Sequence, residues 1–508
     1  MALLGNLIKK GATIHAKIET RKATPYQLQQ KTLHQLLKKA AKTQFGKHYN
    51  FEQILKSPSP ISLFQKKIPI HDYDKMHDEW WHQSLKNIEH VAWKGKTKYY
   101  ALSSGTSGNP SKYLPITPSM LRANNKVAFR VFMSLANFDL PPEIYTKEKM
   151  MLGGSTSLRE MGGYFVGDLS GINISKLPAW IRQSYRPGLE IANEKDWNKK
   201  IERIAKAAPK WDIGFIMGIP SWVQLMLEKI ISYHGVDHIH RIWPNLKVFI
   251  HGGVAFEPYQ KGFKRLLGEE LIYINTYLAS EGFLGYQNRP NAGMKLVLDN
   301  GIFFEFIPFD ANNFDQSNNP KPNATVLTID NIKEGTDYAV VISTCAGAWR
   351  YLLGDTIRFT DTARSEIVIT GRTKHFLNVC GEHLSVENMN CAIACLEKEL
   401  DLSIREFTVS YLPDGHLFQH QWYVGCDEKI DNGVLRRALD YHLKRLNDDY
   451  ATERNSLLGL EVVAIPNEVF YRWHEAKNKM GGQSKFPRVM QPRMFSEWEA
   501  FVKKFNQV

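Results

Sequence analysis

The sequence is short of most features that would place a chain quickly. Its 508 residues hold five cysteines (Cys345, Cys380, Cys391, Cys395 and Cys426), an odd set with no C-x-x-C. That argues against a disulfide framework and suits reduced thiols, so a cytoplasmic location is expected. Cys391 and Cys395 stand one helical turn apart, but no second Cys or His pair completes a zinc set nearby, and they are expected to be buried structural residues. No apolar run approaches the roughly 20 residues of a membrane span. The opening MALLGNLIKKGATIHAKIETRK has a short apolar patch without a small-residue cleavage site, so no signal peptide is expected. There is no internal repeat. No G-x-G-x-x-G follows a strand-like run, and no G-x-S-x-G elbow occurs. Gly95-Lys96-Thr97 spells the end of a Walker A loop, but His90 stands where its first Gly is required.

Hydrophobic residues at 43% and aromatics at 12% describe a folded chain, and the length calls for two or more domains. A formal net charge of +13 favours anionic partners. The basic residues are spread along the chain rather than gathered in an aromatic-rich stripe, so no nucleic-acid partner is expected. The first 60 residues read as amphipathic helices, with Thr24-Pro25 as a helix start. Short apolar strands then alternate with helices, the pattern of an α/β domain with largely buried strands. Asn300-Gly301, between two β-prone runs, predicts a hairpin. Beyond about Lys374 the texture changes to a small α+β unit, so the expected domains are 1–373 and 374–508.

One stretch stands out. In SSGTSGNPSKYLPIT, residues 103–117, ten small, polar or turn-forming residues end at Lys112, between two strand-like runs. Gly105 and Gly108 let backbone N–H groups turn toward a ligand. Ser103, Ser104, Thr106, Ser107 and Ser111 offer hydroxyls, and Lys112 adds a mobile positive charge. Such a loop is a nest for polyphosphate, although by composition alone Ser/Gly loops are more often linkers.

SSGTSGNPSK resembles the phosphate loop of the adenylate-forming superfamily of acyl-CoA synthetases, luciferases and adenylation domains. Further motifs follow in the order that superfamily has them. Tyr277-Leu278-Ala279-Ser280-Glu281-Gly282 resembles Y-x-x-[ST]-E-G, Tyr351-Leu352-Leu353-Gly354-Asp355 resembles Y-R-x-G-D, and Gly371-Arg372-Thr373-Lys374 resembles the hinge motif. With AAKTQFGKHYNF, IPIHDYD, GIPSW, LNDDYATER and GGQSKFPR, the chain resembles, over almost its whole length, the Gretchen Hagen family of auxin-responsive acyl acid–amido synthetases and its bacterial relatives. It departs from the pattern at Asn109, where a Gly is common, and at Leu352, where the motif has Arg, although Arg350 lies just before.

The resemblance implies a large adenylation domain with a small mobile lid hinged near Lys374, ATP and Mg²⁺ as cofactors, and a small carboxylic acid and an amino acid as substrates. The acid would become an acyl-adenylate with loss of pyrophosphate, and the amine would then displace AMP. An acid–CoA ligase, which shares the first step, is the alternative; a non-catalytic nucleotide- or nucleic-acid-binding protein is the distant one. Ser103, Ser104, Gly105, Thr106, Ser107 and Lys112 would hold the outer phosphates. Tyr277 would stack on adenine, or else be a core aromatic. Ser280 would touch the α-phosphate, Glu281 would bind Mg²⁺, Asp355 the ribose hydroxyls, and Arg372 ribose or phosphate. Lys485 would reach the phosphates from the lid, or else be an exposed lysine. His71, Asp72, Asp74 and His77 are not read as a metal set, Trp80, Trp81 and Trp422 are read as packing, and His251 is read as either an acyl-pocket residue or a satisfied core histidine.

Overall fold

The computed structural model describes residues 5–7, 9–13, 23–103, 112–177, 179–254, 256, 259–315, 318–373, 384–414, 417–447, 450–451, 459–477, 480, 484–490 and 492–505. The expected phosphate-loop residues Ser104, Gly105, Thr106 and Ser107, and the hinge residue Lys374, lie outside these.

The amphipathic helices expected at the start are present. Pro25–Ala40 begins at a capping box in which the Thr24 hydroxyl and the Gln27 side chain each satisfy the other's backbone N–H. Its apolar face, with the short helices that follow, packs Leu33, Phe45, Phe51, Phe64 and Trp81 against Phe303, Trp349 and Tyr351. Polar side chains help dock it: the Gln29 amide donates to the carbonyls of Leu298 at 2.7 Å and Ile302 at 3.0 Å.

A 4-stranded sheet holds β1 (Tyr99–Ser103) and β2 (Lys112–Ile116), antiparallel, beside the short β4 (Arg159–Glu160) and β5 (Phe165–Gly167). Ser103 faces Lys112 across the β1–β2 pair, so the Ser/Gly stretch joins two paired strands.

The 11-stranded sheet changes character half-way. β3 (Glu148–Met151), β6 (Tyr185–Arg186), β7 (Ile213–Gly218), β8 (Val248–Gly252) and β9 (Ile272–Ala279) run parallel, with helices such as Trp197–Ala207 and Pro220–His234 as crossovers. From β9 onward pairing is antiparallel, through β10 (Gly282–Tyr286), β11 (Met294–Leu296), β15 (Glu366–Arg372), β14 (Tyr351–Asp361), β13 (Asp337–Thr344) and β12 (Ile302–Pro308). The expected hairpin at Asn300-Gly301 is absent: β11 pairs with β10 and β15, whereas β12 pairs with β13. Gly301 does take the predicted positive φ of 78°, but the Asn300 amide donates to the Ala123 carbonyl at 2.7 Å, so the turn is spent on a helix contact and sends the chain to the far edge of the sheet.

The last part of the chain is α+β. β16 (Phe407–Asp414), β17 (Leu417–Gly425) and β18 (Gly459–Ile465) form a 3-stranded sheet, covered by the helices Val386–Leu400 and Asn432–Leu446 on one side and Asn467–Ala476 and Pro492–Phe505 on the other. Trp422, at 0% exposure, is packing, as expected. Cys391 and Cys395 are exposed, correcting the expectation of burial. Met389, Ala392, Ile393 and Leu396 take the inward face of that helix, and the two thiols fall on the opposite one.

Candidate active site

A tight turn builds the centre of the site. β9 and β10 pair as far as Ala279 and Gly282, which leaves Ser280 and Glu281 as the two-residue connection between them. This point lies beyond the carboxyl end of β9, where the parallel half of the sheet gives way to the antiparallel half, and α/β sheets bind ligands outside the carboxyl ends of their strands. Glu281 is half-buried beside the Tyr351 phenol, whose pKa is driven up by burial and then by the Glu281 charge. Burial raises the Glu281 pKa, and the Asp355 carboxylate adds to the rise, while Arg372 and Lys112 oppose it.

Asp355 and Arg372 are direct cross-strand partners on β14 and β15, with Arg372 Nε donating to Asp355 Oδ1 at 2.9 Å. The other carboxylate oxygen accepts from the Tyr277 hydroxyl at 2.7 Å. Tyr277 reaches it from β9 although three strands intervene, so the sheet curls here. The Tyr277 ring itself is 4% exposed and belongs to the core; burial, then the Asp355 charge, drives its phenol pKa well up. Asp355 in turn raises the pKa of Arg372.

Two lysines complete the ring of charge. Lys112, at the start of β2, stands over the Tyr73 ring at 5.2 Å and within electrostatic reach of Glu281. Lys485 comes from the C-terminal α+β part. Its side chain is open to solvent, yet it stands in a cleft walled by protein, and that desolvation, with the neighbouring Arg372 charge, lowers its pKa against the pull of Asp355 and Glu281. A Cβ on Gly253, which follows β8 at a φ of 87°, would lie 3.0 Å from Lys485 Cε and 3.3 Å from Nζ. The positive φ favours glycine there, and any side chain would crowd the end of Lys485.

The structure thus brings Lys112, Tyr277, Glu281, Asp355, Arg372 and Lys485 to one cleft, with Ser280 half-buried beside Glu281. Arg350 is not part of it. Its guanidinium is 5% exposed and bonds both oxygens of Glu305 at 3.1 Å, as well as the carbonyls of Gln65 at 2.8 Å and Ile68 at 2.6 Å. It therefore does not stand in for the arginine missing at Leu352. His251, 5% exposed, stacks on Phe256 at 4.6 Å and is held neutral, its pKa pushed down to about 4 by burial. His71 is buried against the Trp349 carbonyl, and no cluster of metal-ligating side chains occurs among the described residues. Sequence reading gave no role to Tyr351 or Gly253; the first tyrosine of the Tyr351–Asp355 motif and the double glycine after β8 were the available signals.

The sequence model of the GH3 family N-terminal domain matches residues 14–203 and 155–272, that of the GH3 family central domain residues 295–372, and that of the GH3 family C-terminal domain residues 387–494. The chain belongs to the GH3 family. Among its GH3 relatives are a jasmonoyl–L-amino acid synthetase of Nicotiana attenuata, 27% identical over 52% of this chain and 48% of the relative, and a probable indole-3-acetic acid-amido synthetase of Oryza sativa subsp. japonica, 24% identical over 50% and 48%. These matches span about half the length of those relatives. The fold is shared more widely. It is similar to that of the GH3.15 acyl acid amido synthetase, with a TM-score of 0.78 at 15% identity over 96% of this chain and 95% of that one. It is also similar to that of a 2-hydroxyisobutyryl-CoA ligase in its postadenylation state, with a TM-score of 0.59 at 12% identity over 94% and 91%. This GH3 chain therefore shares its α/β fold with both neighbours over almost its whole length.

Proposed function

We propose that this GH3 protein is an ATP-dependent acyl acid–amido synthetase, cytoplasmic, joining a small carboxylic acid to an amino acid. The observation that carries the reading is the single cleft in which one turn carboxylate, one ribose-type acceptor and three cations, each from a separate motif, converge. In the first step a carboxylate oxygen of the acid attacks the α-phosphorus of ATP, and the bond to the leaving pyrophosphate breaks. An associated change of this kind needs charge neutralisation and alignment rather than covalent help from the protein. Lys112 and the Ser103–Ser107 segment bind the outer phosphates, and Ser280 approaches the α-phosphate. Asp355, held by Tyr277 and Arg372, accepts the ribose hydroxyls with its remaining lone pairs. Lys485 supplies positive charge from the opposite wall. In the second step the amino acid's nitrogen attacks the acyl carbon, AMP leaves, and the amide forms.

Glu281 fits Mg²⁺. That ion takes one or two protein carboxylates and completes its shell with phosphate oxygens and water, and Glu281 is the cleft carboxylate not already committed to a guanidinium. Bound there, the ion would neutralise phosphate charge.

We further place the lid boundary near Lys374, with residues 374–508 as the mobile unit that carries Lys485. Thiols outside disulfides support the cytoplasmic assignment. The test is pyrophosphate release from Mg-ATP with a panel of aryl, indole and aliphatic acids, each run with pooled amino acids, with CoA, and with neither. A new amide mass is the expected product. A thioester without an amide would move the protein to the acid–CoA ligases.

A further inference from the structure

Lys485 is a flexible side chain on a segment that belongs to the small unit, yet it arrives at one spot over Gly253. The surroundings of residues 484–490 explain how. On the small-unit side, Val409 N–H donates to the Arg488 carbonyl at 2.9 Å and Met490 N–H to the Val409 carbonyl at 2.9 Å, which ties the segment to β16. Arg488 stacks on the Phe407 ring at 4.4 Å and bonds the buried Glu406 carboxylate at 2.7 Å. The large unit contributes two buried side chains. The Trp222 indole N–H donates to the Ser484 carbonyl at 2.7 Å, one residue before Lys485. The Tyr259 hydroxyl donates to Glu406 Oε1 at 2.8 Å and lies 3.4 Å from the Arg488 guanidinium, three residues after Lys485. Trp222 and Tyr259 are each 1% exposed.

We propose that Trp222 and Tyr259 are positioning residues: they clamp the chain on either side of Lys485 and so hold its ammonium in the cleft for adenylate formation. This rests on the adenylation reading above. Glu406 and Arg488 travel together on the small unit and stay paired to each other, so opening the clamp breaks the hydrogen bonds of Trp222 and Tyr259 without leaving a buried charge at the clamp unpaired. The more exposed ion pairs Arg405–Glu228 and Lys261–Asp401 must part in the same movement. Held, the clamp fixes the backbone that carries Lys485 in advance, so ordering the ammonium costs side-chain rotamer freedom alone.

The test uses the whole protein in two arms. In the first, without ligands, hydrogen–deuterium exchange is followed over residues 484–490 in the wild type, in Tyr259→Phe and in Trp222→Phe. Either variant is expected to speed exchange there by about tenfold, the order expected for one lost hydrogen bond, while leaving the β13 and β14 peptides unchanged. In the second, acid-dependent ATP–pyrophosphate exchange is measured in Tyr259→Phe, Lys485→Ala and the double variant. The tyrosine variant is expected to lose about tenfold alone and nothing further once Lys485 is gone, because its effect passes through Lys485. Amide formation from supplied acyl-adenylate is expected to be unaffected by Tyr259→Phe. Unchanged deuterium exchange, or losses that multiply in the double variant, would overturn the clamp. A wild type with no pyrophosphate exchange for any acid would sink the adenylation reading, and the ligand-free arm would then decide the clamp alone.

Discussion

Arg350 and Asp355 stand five residues apart, and each belongs to a carboxylate–guanidinium pair, but the two pairs have opposite characters. Arg350–Glu305 is enclosed, at 5% and 0% side-chain exposure, and two backbone carbonyls take further guanidinium donors. Arg372–Asp355 is open, at 46% and 16%, and faces Glu281 and Lys485 across the cleft. The first pair answers its own charges and has no capacity for a ligand. The second leaves lone pairs, donors and a half-buried carboxylate pointed at a common space. What separates a structural ion pair from a binding one here is not the residue types but how many of their hydrogen-bonding positions the fold has already filled.

The comparison can be broken from either side. The largest effect is expected from Arg350→Ala, which leaves Glu305 buried with only the Gln65 amide as partner. Losing one member of a buried pair costs about 3–5 kcal/mol, measured here as a drop in urea unfolding free energy, and replacing both members by leucine should recover most of it. Next, Glu281→Ala should lower acid-dependent pyrophosphate release by about 10²–10³-fold with an unchanged unfolding midpoint; full activity in that variant would remove the site as described. The raised Glu281 pKa adds a pH signature. The carboxylate must be ionised to act, so kcat/KM for Mg-ATP, which reports the free enzyme, should fall as pH drops, with the midpoint of that acid limb above the ordinary glutamate range.

Glu397 offers an intermediate case, a carboxyl 9% exposed whose pKa burial pushes up to about 7, with the Ile404 N–H as its backbone donor at 2.6 Å. A folded-state pKa raised above the unfolded one gives stability that is complete below the unfolded value near 4.5 and lost as pH rises through about 7. Glu397→Gln should therefore stabilise the protein at pH 8 by on the order of 2 kcal/mol and have little effect at pH 4.5, read from thermal midpoints at the two pH values. The smallest change is expected from Asp355→Asn: about tenfold in the KM for ATP, with stability altered by less than ~1 kcal/mol because its pair is exposed.

Much of the site was legible because its residues sit in short segments whose spacing is set by tight turns and strand ends. Ser280-Glu281 is a turn in any register of β9 and β10, and Asp355 and Arg372 each lie close to a glycine in a strand. What the sequence did not disclose was tertiary. Arg350 and Leu352 could not be told apart in role without knowing that a positive φ of 42° at Arg350 turns its side chain toward Glu305. The Asn300-Gly301 turn has hairpin chemistry, but strand partners are chosen across the whole sheet. The thiol pair on Val386–Leu400 needed the helix's inward face, and sequence reading assigned no helix at Asn467–Ala476 or Pro492–Phe505, although Phe495, Trp498 and Val502 carry the period in the second.

The docking of the first long helix bears on how the chain is made. Gln29 finds its acceptors at Leu298 and Ile302, 269 and 273 residues later, and β11 completes its pairing only with β15, at residues 366 and 367. During synthesis the helix Pro25–Ala40 can pack on the short helices that follow it, but the part of its surface that docks on Leu298 and β12 stays uncovered until well over half the chain has left the ribosome. Contacts this distant in sequence slow folding and prolong the exposure of sticky surface. A fragment that stops short of Leu298 would carry that helix with its dock missing, and truncations in this region should yield aggregate rather than a smaller soluble domain.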